Sequence, residues 1–141
     1  MREILYRGKP VTDTYDEYAG EYLFRESSFV HGSLVFYGKR PIIVGEVVET
    51  DPEYVNLAWW VMVKPETVGQ YTGLNDREDV KIFEGDIVRN VHTGAFKRIA
   101  FSHKSGYVMV DEKNFICHSE FWGEYKVIGN IHDNPELLEV E

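Results

Sequence analysis

Glu84-Gly85-Asp86 sets two carboxylates one residue apart, a pattern able to hold Mg²⁺ or to share a proton between a general acid and a base. The glycine between them favours another use. Glycine at the entry to a strand supplies φ > 0, and flanking acids accept hydrogen bonds from backbone amides of the turn. A backbone turn is the expectation. His31, His92, His103, His118, His132 and Cys117 are further candidate ligands or nucleophiles. None falls in a CxxC or HxxxH spacing, and Cys117 and His118, adjacent on a strand, would face opposite sides. Cys117 reads as small apolar filler. Gly69-Gln70-Tyr71-Thr72-Gly73 lacks the following lysine and helix of a phosphate cradle, and no G-x-S-x-G or G-x-G-x-x-G occurs. The sequence thus predicts no catalytic residue, no metal site and no cofactor.

Aromatic residues offer binding in place of catalysis. Tyr71, Tyr107, Phe121, Trp122 and Tyr125 could stack bases or grip an extended peptide, although such residues also fill the interiors of small β-proteins. Tyr71, Phe121, Trp122 and Tyr125 are taken as the candidate interaction surface. Phe121-Trp122-Gly123 is the most informative of these, because two consecutive bulky residues on a turn cannot both point inward.

The elements that must position them are short. At 141 residues the chain fits one domain or two small ones, large enough to fold without a staple. Nine Tyr, eight Phe and three Trp suit β-structure. One cysteine cannot bridge internally, which favours a reducing cytosol. No stretch approaches the ~18 apolar residues of a membrane span, and the charged start does not resemble a secretory signal. The net charge is −9, from 15 basic and 24 acidic residues. That balance weighs against nucleic-acid binding, which draws on lysine and arginine.

Ile4-Leu5-Tyr6 reads as a strand halted by Gly8 and Pro10. In Thr12–Ser28, Tyr15, Tyr18, Ala19, Tyr22 and Leu23 recur at helical spacing, so a short amphipathic helix fits slightly better than an aromatic β-ribbon. Phe29–Tyr37 and Ile42–Val44 form a hairpin across Gly38-Lys39-Arg40-Pro41. Leu57–Val63 is apolar on both alternating faces, which predicts a strand sandwiched between two layers or lying against another subunit, at the seam between two β-units. Strands at 86–91, 96–101, 107–110, 115–117 and 125–131 then follow with small turns, the sequence form of a small closed barrel. Asn134-Pro135 opens one helical turn.

Three blocks resemble the YopX family of prophage and bacteriophage proteins: Pro65–Leu74, Ile82–Val88, and Val127–Ile131 with Asn134–Leu138. Arg2–Lys9 and Val30–Leu34 also resemble that family's opening. Between the first two blocks the family turns with Asn-Gly, where this chain has Glu78-Asp79. The stretch Thr12–Ser28 is longer than the family's first turn. The resemblance implies a mainly β protein whose C-terminal part is an SH3-like barrel. It carries no active site and no functional residue.

The expected architecture is all-β: a unit over 1–63 with an aromatic insertion at about 12–28, and an SH3-like barrel over 64–141 with a short tail. The expected role is a cytoplasmic, non-catalytic accessory protein of a phage or prophage, acting through protein contacts. Its partner would be a protein of phage or host origin, or a second copy, with no membrane involved. A nucleic-acid-binding module is the first alternative, and an enzyme of unrecognised type the second.

Overall fold

The computed structural model describes residues 3–117 and 121–138. The protein is all-β: the described residues form antiparallel strands, short 3-10 turns and no α-helix. In chain order the strands are β1 Tyr6–Gly8, β2 Thr14–Asp16, β3 Glu21–Phe24, β4 Val30–Tyr37, β5 Arg40–Val44, β6 Val47–Thr50, β7 Val55–Leu57 and β8 Trp60–Met62. They continue as β9 Gly69–Asn75, β10 Lys81–Phe83, β11 Asp86–Asn90, β12 Phe96–Ser102, β13 Gly106–Val110, β14 Ile116–Cys117 and β15 Tyr125–Asn130. Two compact units divide between Gln70 and Tyr71, seven residues beyond the boundary expected at 63/64.

In the unit Glu3–Gln70, β1 pairs with the start of β9 on one side and with β4 on the other, and β5 and β8 follow. The β4–β5 hairpin closes through Gly38 at φ +62°, as its composition predicted. Alternation then sorts the side chains. Leu34, Ile43 and Val61 lie in register on one face and form the core with Val63, Val30, Tyr6, Phe24 and Trp59. The other face carries two cross-strand rows, Ser33–Val44–Trp60 and Val35–Ile42–Met62.

Three expectations for this unit are corrected. Thr12–Ser28 holds the hairpin β2–β3, not a helix. Asp16 Oδ1 accepts the amides of Tyr18 and Ala19, and Gly20 closes the turn at φ +72°, a conformation no helix interior uses. Tyr15 meets Tyr22 across the strands at 5.0 Å, so the helical spacing was incidental. Leu57–Val63 is not one strand either, because β7 ends at Leu57 and β8 begins at Trp60. Nor does the chain itself cover it on two sides: Trp59, Val61 and Val63 join the core, while Trp60 stays 57% exposed.

In the unit from Tyr71 onward, β9 pairs with β10, and a five-stranded antiparallel sheet runs in the order β14-β13-β12-β11-β15. These strands fall within a residue or two of their predicted places. Ile82, Val88, Ile99, Met109 and Tyr125 make the core, with Cys117, Trp122 and Val127 packed against it. Among the described residues no ladder joins β14 to β15, so the pairing is that of an open sheet, and closure into an SH3-like barrel is not shown. The tail forms the expected single turn, Pro135–Leu138, as a 3-10 helix. Among the described residues no helix is long and apolar enough to cross a membrane.

Candidate functional site

Gly85 adopts φ +91°, and Asp86 Oδ2 accepts the amide of Phe83 at 2.8 Å. The Glu84-Gly85-Asp86 stretch is therefore a turn, as its glycine predicted, with one carboxylate committed to the backbone. Cys117 is half-buried beside the core. His118 lies outside the described residues. His103 packs edge-on against Phe101 at the β12–β13 turn.

The four candidate surface aromatics separate. Tyr125 is only 1% exposed and belongs to the core, so it leaves the candidate surface. Tyr71 leaves it too. Its ring is buried against Phe83 at 5.6 Å, Lys81 Nζ stands over it, and its hydroxyl bonds Asn75. Trp122 turns inward onto the core, whereas Phe121 is 69% exposed. As the turn argument required, the two neighbours point different ways. Phe121 is thus the one member of the four whose residue is mostly exposed. A signal for Tyr125 was present in Tyr125-Lys126-Val127: two apolar residues flank an exposed lysine, the period of a half-buried strand.

The structure assembles instead a cleft that the sequence did not reveal. It lies in the Glu3–Gln70 unit, has a volume of about 440 Å³, and is lined by Leu5, His31, Ser33, Val44, Glu46 and Trp59 among others. That volume is in the range of small-ligand pockets. Four chain segments build it: the residue before β1, the start of β4, the end of β5 with the residues that follow it, and the residues entering β8. The β5–β8 ladder runs on past its last pair, with the Gly45 amide donating to the Trp59 carbonyl and the Ala58 amide to that of Glu46. It then continues into the β6–β7 ribbon, so Arg40–Met62 is one long hairpin with the cleft at its bend. The Trp59 indole lies flat against Gly45: a Cβ there would stand 2.4 Å from its Nε1. Phe24 holds the ring from another side at 5.8 Å.

His31 and Ser33 are alternate residues on one face of β4, and both line the cleft. Partial burial, followed by the nearby Arg7 guanidinium, lowers the His31 pKa below its usual value. The imidazole is therefore neutral at pH 7. The linkage has a definite sign: below pH 6.5 the unfolded chain takes up a proton that the folded one resists, so this contribution to stability is lost as pH falls through the folded pKa. Urea titrations at pH 7.5 and 5.5 should show a larger loss for the wild type than for His31→Gln. Equal losses would remove His31 as a cause.

The chain is all-β, built of antiparallel sheets and two-stranded ribbons, and among its described residues no group of three or more His, Cys, Asp or Glu side chains is placed to hold a metal ion. A model of the YopX protein family matches residues 35–139, well over half of the chain. The chain belongs to the YopX family. It is also similar in fold to the crystal structure of protein EF1440 from Enterococcus faecalis, with a TM-score of 0.58 and 25% sequence identity over 99% of this chain and 100% of that one. No curated protein matches it.

Proposed function

We propose that this protein is a cytoplasmic, non-catalytic accessory protein of a phage or prophage that works by binding another protein. One observation carries the reading. The open face of β4, β5 and β8 presents Val35, Ile42, Val44, Met62 and the exposed Trp60 in adjacent rows. Contiguous apolar surface of this kind marks interaction sites, and tryptophan is prominent among residues that dominate binding energy. The charge of −9 supports a protein partner over a phosphate backbone.

A nucleic-acid reading has one observation in its favour. Phe101, His103 and Tyr107 gather at the β12–β13 turn beside Lys104, with Lys97 and Arg98 on β12. Yet Phe101 meets both neighbours edge-on, which engages ring surface that a base would stack against. Fluorescence anisotropy with labelled DNA and RNA at ~50 mM salt separates the readings. No micromolar binding is expected, and tight binding that weakens steeply with salt would overturn the proposal. Pull-down from lysogenic host cells should recover a partner with wild-type protein and lose it with Trp60→Arg.

A further inference from the structure

The β6–β7 ribbon is difficult to explain as a self-sufficient element. All four residues of β6 are exposed, as are Tyr54 and Val55 on the returning side. Its ladder consists of Val47 with Leu57, Glu49 with Asn56 and Thr50 with Val55; the hydrogen bonds at its base join it to β5 and β8, and among the described residues no third strand pairs along it. A two-stranded extension with no covering layer is marginal in water, and Val47, Val48 and Val55 are all exposed here. A ribbon with two free edges is also a template for a third strand.

Charge selects what covers it. Between Arg40 and Lys64 the chain contains Glu46, Glu49, Asp51 and Glu53 and no lysine or arginine. Asp51 is engaged with the turn amides of Glu53 and Tyr54, and Glu49 accepts from the Tyr54 hydroxyl at 3.1 Å. Glu46, at the ribbon's base, faces the cleft with the Trp59 indole. A carboxylate and an indole that line one cleft can together receive a cationic side chain, by ion pairing and by attraction to the ring. Arg7 lies opposite His31 across the β1–β4 pair and is held over Phe29 at 4.2 Å, so the cation's place is at the Glu46 end. A second copy of this chain fits poorly, since two such ribbons edge to edge would oppose like charges.

Resting on the protein-binding reading above, we propose that the β6–β7 ribbon and the cleft at its base dock an extended, basic segment of a partner protein. One arginine or lysine of that segment enters between Glu46 and Trp59, and apolar residues of the segment cover Val47, Val48 and Val55.

A fluorescein-labelled, end-blocked nonapeptide of alternating arginine and valine tests this by anisotropy, beside counterparts with citrulline or glutamate in place of arginine. The arginine peptide alone should bind. Glu46→Gln/Glu53→Gln should weaken it by about tenfold or more. The charge-matched pair Glu112→Gln/Glu136→Gln, in the other unit, should change it by less than about twofold. All four are exposed positions, so folding is not at stake. Absence of binding, or equal loss in both double variants, overturns the proposal. So does a dimer in light scattering that Val48→Arg dissolves, which would make a second copy the occupant. A partner pulled from lysogenic cells equally by wild type and by Glu46→Gln/Glu53→Gln defeats this docking site while leaving the protein-binding reading intact.

Discussion

Asp76→Ala should cost about 3–5 kcal/mol of folding stability, from three charge-assisted hydrogen bonds each contributing roughly 1.5–3 kcal/mol, less what water recovers at the turn. Asp76 is 6% exposed although its side chain is ionisable. One oxygen, Oδ1, accepts the amides of Glu78 at 2.8 Å and Val80 at 2.9 Å. The other, Oδ2, accepts the amide of Val127 at 2.8 Å, 51 residues along the chain. A single carboxylate therefore shapes the β9–β10 turn and ties it to β15. Neighbouring backbone bonds reinforce it: the Asp76 amide donates to the Val80 carbonyl, and the Arg77 amide to that of Tyr125. Alanine would leave the Val127 amide without this acceptor inside the sheet. Asparagine should recover only part of the loss, since its NH₂ would face an amide donor. Guanidinium denaturation measures the cost, and hydrogen exchange at Val127 locates it. A loss below about 1 kcal/mol would show that water or a rearranged turn replaces the carboxylate.

That turn also shows what the sequence can and cannot disclose. Where the family has Asn-Gly, this chain has Glu78-Asp79, and Asp79 adopts φ +65°. Aspartate is one of the few non-glycine residues that visits this region routinely, so the departure keeps the turn. Local chemistry of this kind was readable: Gly85, the Gly38 hairpin and the Asn134-Pro135 turn all formed as their residues required. Patterns admitting two periods were not. Tyr15, Tyr18 and Tyr22 satisfy a helix on paper, and only the Asp16 and Gly20 turn decides for the hairpin. Leu57–Val63 looked two-faced because apolar composition cannot say whether a face meets protein or solvent. The cleft was illegible for a different reason. His31 and Ser33, Glu46, and Trp59 come from separate segments, and no spacing rule links them. What marked their junction was a pair of glycines, Gly32 and Gly45, whose necessity is visible only once the strands are packed.

Those two glycines should respond unequally to a single methyl group, and Gly32→Ala should be the more damaging. A Cβ at Gly32 would stand 2.1 Å from the Val44 carbonyl oxygen and 3.0 Å from its carbonyl carbon. Both are backbone atoms of the neighbouring strand, so no rotamer change relieves the overlap. β4 and β5 would have to part by about 1 Å to restore van der Waals contact, straining the ladder between Ser33 and Val44. Overpacking usually costs about 1–3 kcal/mol, and with ladder hydrogen bonds lost as well the expected total is about 3–5 kcal/mol. At Gly45 the obstructing atom is Trp59 Nε1, on a side chain. The indole can swing away, so Gly45→Ala should cost only about 1–3 kcal/mol, the range of ordinary overpacking. The swing would open the contact with Phe24 and widen the cleft, which a red shift of tryptophan emission in the folded state would report. Urea denaturation of the two variants side by side decides the matter. If Gly45→Ala proves as costly as Gly32→Ala, the indole is as immovable as a strand and the cleft is rigid. If Gly32→Ala costs less than about 1 kcal/mol, β4 and β5 are not held together as closely as this packing requires.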